Sequence, residues 1–368
     1  MLRPSFRFSS KVRLAIATAF AAAMIGTTVA QQPPAVTKLV FLGTAAGPPL
    51  RLDRSEPATL LVVDGRPYLI DCGIGTMRRM LESGIASETI QTIFFTHLHA
   101  DHDLGVADVM ANDFFQLNLT GSTQSISVYG PPHTKELVDA AFHYISVGFQ
   151  PFVLEPGAIR AGLVNGQLKS PFVAHDIQHD GLIYQDDKIR VIAAENSHYA
   201  LMSAEDRQHM KSYSYRIETP HGTIVFTGDT GPSEAVTRLA NGADVLVAEA
   251  QDLIEASQFV QRVAERNHWP PQRAAGMMAH MRQEHLDLPE VGKMAAAAQV
   301  KSVVLYHYDP TDPAAYVAAI KKRFSGPVFA SADRDEYCLD AAAGTTGPRL
   351  AKCNSPSASP VGTPKSLR

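Results

Sequence analysis

Cysteine is scarce in this chain of 368 residues. Cys72, Cys338 and Cys353 are the full set, and none has the paired CxxC spacing of a structural zinc site. Cys72 comes after an apolar run and reads as a buried free thiol. Cys338 and Cys353 stand near the C-terminus, where a bridge between them fits an oxidising compartment. An excess of positive charge is missing too, since 33 Lys and Arg face 37 Asp and Glu. Such a balance does not suit a broad surface for a polyanion such as nucleic acid. Trp269 is the one tryptophan.

The first thirty residues depart from the rest. Arg3, Arg7, Lys11 and Arg13 come without an acid, followed by the apolar run from Leu14 to Ala23 and the small residues Thr28-Val29-Ala30. This is the pattern of a secretory signal peptide over 1–30. The run falls short of the about 20 apolar residues a membrane helix needs, so no stable span is expected after cleavage. Its removal leaves 29 basic against 37 acidic residues, a net charge of −8. The expected location is periplasmic or secreted.

Apolar runs that read as buried strands recur along the body: Leu39 to Leu42, Leu60 to Val63, Tyr68 to Ile70, Thr92 to Phe95, Ile189 to Ala193, Thr223 to Phe226, Val245 to Val247 and Val303 to Tyr306. Helical stretches alternate with them: Thr76 to Ser83, Ser233 to Ala240, Pro289 to Gln299 and Pro313 to Phe324. Asp287 and Pro289 stand where an N-cap and a first turn belong. The alternation indicates an α/β sandwich. Residues 150–178 read as a Gly- and Pro-rich insertion, 258–282 as a helical one, and 355–368 as a disordered tail.

The chemistry is concentrated directly after the run Thr92-Ile93-Phe94-Phe95-Thr96. His97, His99, Asp101 and His102 form a His-x-His-x-Asp-His element, three imidazoles and a carboxylate where a strand runs out. That density of ligand types points to a metal site and to hydrolysis. Other strands end in ligand types as well, at Asp71, His198, Asp229 and His307. Ligands in open α/β sheets gather at the carboxyl ends of strands.

On these residues the chain resembles the metallo-β-lactamase-fold hydrolases, and within them the ribonuclease Z-like and arylsulfatase-like branch. The likeness runs through Phe41-Leu42-Gly43-Thr44, Leu69-Ile70-Asp71-Cys72-Gly73, the His97 element, Tyr129-Gly130-Pro131, Ser214-Tyr215-Arg216-Ile217, Phe226-Thr227-Gly228-Asp229-Thr230, His285 and Lys301 to His307. It implies a four-layer αββα sandwich over 31–354 with two Zn2+ per chain, Mn2+ or Fe being admitted by ligand type. His97, His99 and His198 would hold one metal, Asp101, His102 and His307 the other, and Asp229 would bridge. Asp71 would orient a ligand. A hydroxide generated between the metals would attack the substrate, with His285 as general acid and Asp101 also among the catalytic residues. A homodimer is a further expectation of the resemblance.

The chain departs from that branch in three places. Ala248-Glu249-Ala250-Gln251 keeps the Glu of a His-Glu-Ala-Thr motif but not its His, and Asp287 replaces a Ser or Thr, where it could pair with His285. The 150–178 insertion has Arg160 and Lys169 as its basic residues, too few to grip a nucleic acid. The expected substrate is therefore a small-molecule ester, first a small or cyclic phosphodiester. A sulfate ester comes next, then a lactone or β-lactam, then precursor tRNA; a non-catalytic zinc-binding protein is the alternative class. His133, His175 and His179 read either as the mouth of the site or as loop residues. Tyr199 and Tyr308 read as substrate contacts or packing, and Trp269 as a stacking surface if the helical insertion covers the cleft.

Overall fold

The computed structural model describes residues 36–47, 49–155, 168–310, 312–340 and 349–353. The expected signal peptide and tail lie outside the described residues. Every element falls in the unit Ala35–Arg368. In chain order these are β1 (Thr37–Gly43), β2 (Ala58–Val63), β3 (Arg66–Ile70), α1 (Thr76–Glu82), β4 (Thr92–Phe94), α2 (Ala100–Asp103), α3 (Val106–Thr120), β5 (Ile126–Gly130), α4 (Thr134–Leu154) and β6 (Phe172–Asp176). The second half brings β7 (Gly181–Gln185), β8 (Arg190–Glu195), α5 (Asp206–His209), β9 (Tyr213–Thr219), β10 (Gly222–Phe226), α6 (Glu234–Leu239) and β11 (Val245–Ala248). It closes with α7 (Leu253–Arg266), α8 (Pro271–Gln283), α9 (Leu288–Ala297), β12 (Ser302–Leu305), α10 (Pro313–Lys321), β13 (Val328–Ala330), β14 (Glu336–Asp340) and β15 (Arg349–Lys352).

The strands make two mixed sheets, ordered β15-β14-β1-β2-β3-β4-β5-β6 and β13-β12-β11-β10-β9-β8-β7. Side chains alternate faces along a strand, and β1 shows what that does. Leu39 and Phe41 join Ile224, Phe226, Val247 and Val304 in the core between the sheets. Val40 and Leu42 turn the other way and pack with Val109, Met110 and Val138 of α3 and α4. On the far side, Val225, Leu246 and Val303 pack under Val236, Val291 and Ile320 of α6, α9 and α10. These three apolar layers build the expected αββα sandwich. The parallel strands β11 and β12 are buried at every position, which is why they read as unbroken apolar runs.

Two expectations change. The 150–178 region is not an insertion throughout: α4 continues to Leu154, and Phe172–Asp176 is the parallel edge strand β6 beside β5. Residues 156–167 lie outside the described residues. The apolar α4 is long enough to pass for a membrane span by composition, yet Val138 and Ile145 are buried in the helix–sheet core. The helical insertion is the α7–α8 hairpin and begins earlier, at Leu253. Cys338 of β14 is bonded to Cys353 just beyond β15, while Cys72 is free and buried.

Asp113 of α3 is fully buried; it accepts from Ser87 through Oδ1 and has no partner at Oδ2. Burial raises its pKa from 3.8 to about 7, against the lowering influence of Ser87. The folded state therefore holds this proton after the unfolded chain has released it, and stability falls as pH rises from about 4 to about 7. Between pH 5 and pH 8 the cost grows by roughly 2–3 kcal/mol. Asp113→Asn is expected to gain on wild type by about 5 °C in Tm over that interval. A pH-independent difference in thermal unfolding would refute the assignment.

Candidate metal centre

The centre is built where parallel strands end. Asp71 comes directly after β3 with φ of +55°, a left-handed conformation uncommon for a residue with a Cβ. Its Oδ1 accepts from Thr96 N at 2.8 Å, and its Oδ2 from the Thr96 hydroxyl at 2.9 Å and from His102 Nδ1 at 2.9 Å. One carboxylate thus fixes the start of the His-rich loop and one ring within it. His97 Nδ1 reaches Thr96 Oγ1 at 3.1 Å, and His198 Nδ1 reaches the Glu284 carbonyl at 2.8 Å. In each of these three rings Nδ1 is engaged outside the cluster, which leaves Nε2 as the atom offered inward.

Those inward atoms converge. Ligand atoms of His97, His99 and His198 lie within 4.8 Å of one another, as do those of Asp101, His102 and His307. Asp229 lies between the two groups, with carboxylate oxygens 3.8 Å from His97 Nε2, 3.5 Å from His102 Nε2 and 3.4 Å from His307 Nε2. Gly228 makes this possible. It turns the chain after β10 at φ of +58°, and a Cβ there would stand 2.9 Å from Thr96 Cβ.

The residues fit a metal pair. His97 Nε2, His102 Nε2, Asp229 Oδ1 and His307 Nδ1 are buried without a hydrogen-bond partner. Unpaired buried polar atoms are costly, and three of these four face the cluster where cations would satisfy them. Neutral imidazoles with hard carboxylates and no thiolate are a donor set that zinc accepts. The electrostatics agree. Burial, reinforced by neighbouring imidazoles, pushes His97 and His99 below the ordinary histidine range, and His198 falls to about 3. Burial opposes charge on Asp101 in the other sense, yet His102 and His307 lower it to about 2.

His285 stands at the edge of the cluster, its Nδ1 3.9 Å from Asp229 Oδ2. The carboxylate it pairs with is Glu249, at 2.7 Å, and not Asp287. Asp287 instead accepts from Leu253 N at 3.2 Å, fastening the start of α7 to that of α9. Glu249 is buried at the end of β11, its other oxygen accepting from Thr230 N at 2.6 Å. Burial works against the charge on His285, but Glu249 and Asp229 raise its pKa to about 9.

His280 is a member of the site that the sequence did not announce. It comes from the C-terminal turn of α8, puts Nε2 3.2 Å from His285 Nε2 and binds Glu284 through Nδ1 at 2.6 Å. The only signal was the spacing His280-x-x-x-Glu284-His285, which on a helix end brings these groups together. Gly231 lets this turn approach, since a Cβ there would overlap the Gln283 carbonyl.

The other singled-out residues sort clearly. Tyr199 lines the cluster, its ring 5.5 Å from that of His99. Tyr308 is a packing residue, its hydroxyl on the Ser331 carbonyl at 2.7 Å and its ring under Arg54. His175 stacks on Tyr129, His133 pairs with Glu136, and His179 is exposed; none belongs to a ligand group among the described residues. Trp269 lies at the turn between α7 and α8 with the Arg273 guanidinium over its ring at 4.2 Å, so that face is already taken.

The family model described as "Beta-lactamase superfamily domain" matches residues 66–308. The chain belongs to the metallo-β-lactamase superfamily. Within it, the ribonuclease Z of Mycobacterium marinum is 27% identical over 275 residues, covering 74% of this chain and 86% of that one. The metallo-β-lactamase fold protein YhfI from Bacillus subtilis superposes with a TM-score of 0.58 at 15% identity, over 82% of this chain and 99% of its own. The short form of human tRNase Z gives 0.55 at 19% identity, over 81% and 98%. This metallo-β-lactamase superfamily member is a metal-dependent hydrolase, distantly related to ribonuclease Z, with a buried His/Asp site.

Proposed function

We propose that this chain is an exported dinuclear zinc phosphodiesterase acting on small or cyclic phosphodiesters. The observation that carries the reading is the Glu249–His285 pair, a buried carboxylate 2.7 Å from an imidazole that borders the ligand cluster. Cleaving an ester with a poor leaving group needs a proton delivered to the departing oxygen, and a positioned histidine supplies it. An activated aryl ester, whose phenoxide departs without a proton, makes less use of such a group.

In this reading His97, His99 and His198 would hold one zinc and Asp101, His102 and His307 the other, with Asp229 available to both. Bound there, the metals supply Lewis acidity and a nucleophile at neutral pH. Asp71, through Thr96 and His102, keeps the ring orientations that binding needs. Asp101, kept ionised, binds and orients at the reacting centre, and Glu249 holds His285 protonated and aimed. The Cys338–Cys353 bond supports an oxidising compartment, in line with the export pattern. The small number of bases in the 150–178 region supports a small ester over tRNA.

The test is a substrate panel on zinc-loaded mature protein: bis(4-nitrophenyl) phosphate, 4-nitrophenyl sulfate, an aryl lactone, a chromogenic cephalosporin and precursor tRNA. The diester is expected to lead in kcat/KM by at least about tenfold. A lead for the sulfate or for tRNA would displace this reading.

A further inference from the structure

We propose that His280, carried in by the α7–α8 hairpin, is a second catalytic imidazole that forms with His285 a two-ring subsite for the substrate's departing oxygen. The inference rests on the phosphodiesterase reading and extends it to a residue outside the ligand set.

The hydrogen bonds of the two rings assign their protons. His285 Nδ1 lies 2.7 Å from Glu249 Oε2, and His280 Nδ1 lies 2.6 Å from Glu284 Oε2. Both carboxylates are themselves fixed by backbone amides, Glu249 by Thr230 N at 2.6 Å and Glu284 by Leu201 N at 2.8 Å. An ionised carboxylate only accepts, so each Nδ1 carries a proton and each Nε2 is the free end of its ring. These free ends meet at 3.2 Å. A proton on either Nε2 is then shared with the other ring. An oxygen that reaches either Nε2 is then within reach of both.

The two rings also divide the labour by position. The His285 side chain is 12% exposed and borders Asp229, whereas that of His280 is 32% exposed. The pair therefore runs from the ligand cluster to solvent. In the reaction the phosphorus–oxygen bond breaks with its electrons on the leaving oxygen. The proton between the rings moves to that oxygen, and an alcohol departs. Both rings are left neutral with Nδ1–H, and water returns a proton at His280. The proton released by the attacking water balances the one taken up.

The experiment compares zinc-loaded wild type with His280→Ala on phosphodiesters whose leaving alcohols run from nitrophenol to simple alkanols. For alkyl leaving groups kcat is expected to fall roughly 10–100-fold, and for nitrophenyl far less, because nitrophenoxide departs without a proton. KM and zinc content are expected to stay near wild type, and added imidazole to restore part of the alkyl rate. Nuclear magnetic resonance of protein labelled with nitrogen isotope in histidine supplies a readout independent of turnover. Wild type should show a strongly hydrogen-bonded Nε2 proton that His280→Ala lacks. Equal losses for both leaving groups, or no such proton in wild type, would overturn the proposal. A wild type inactive on every diester would instead overturn the phosphodiesterase reading, and the resonance would still decide the pair.

Discussion

Asp229→Ala protein is expected to retain about one zinc per chain or fewer and to lose at least about 10³-fold in kcat/KM on phosphodiesters, roughly 4 kcal/mol of transition-state stabilisation. The reason is its position between the two ligand groups, within 3.9 Å of His97, His102, His198 and His307. Two dications held a few ångströms apart repel strongly, and a shared carboxylate offsets that repulsion while fixing their spacing. The neighbours depend on it as well. Burial opposes charge on His102 and His307, and Asp229 is the leading influence that raises both. Asp229→Asn separates charge from volume: it fills the same space without the negative charge, and it should fail nearly as badly. Zinc stoichiometry by mass spectrometry beside steady-state kinetics provides the check. Two zinc ions retained with a rate within about tenfold of wild type would exclude the bridging role.

His285→Ala is expected to cost about 10²–10⁴-fold on alkyl phosphodiesters and much less on nitrophenyl ones. A positioned acid matters in proportion to how badly the leaving oxygen needs its proton. Glu249→Gln supplies the companion test. Glu249 is the leading influence holding the His285 charge against burial, with a pKa raised to about 9. Removing the carboxylate's charge lowers that pKa, so the protonated ring is lost at lower pH. The basic limb of the kcat profile should therefore move to lower pH, not higher. Bound cations also lower the pKa, in both proteins alike, so the direction of the difference stands. An unmoved limb, or equal losses on both leaving groups for His285→Ala, would remove His285 from the acid role.

The His97 motif was legible because its logic is local. His97, His99, Asp101 and His102 sit on one short loop and one helical turn after β4, so no long-range folding is needed to put them together. Asp71, Asp229 and His307 were legible for a different reason: each comes after an apolar parallel strand, and parallel strands deliver their carboxyl ends to one edge. What failed was any choice between side chains close in sequence but facing different ways. Asp287, two residues from His285, was the near candidate for its partner, yet Glu249 from a separate strand makes the contact. Tyr308, next to a ligand, turns into the packing under Arg54. His280 had no strand end to announce it. Its part depends on how the α7–α8 hairpin docks, and Gly231 is what lets the hairpin close in.

By itself, then, the sequence determined the layered α/β architecture and the inventory of metal-binding groups. Periodic burial and strand-end chemistry are both written in residue order. Only the tertiary structure decided which carboxylate meets His285, that His280 stands beside it, and that residues 172–176 close the edge of a sheet. Those are contacts between segments far apart along the chain, set by how the layers pack and which way each ring turns.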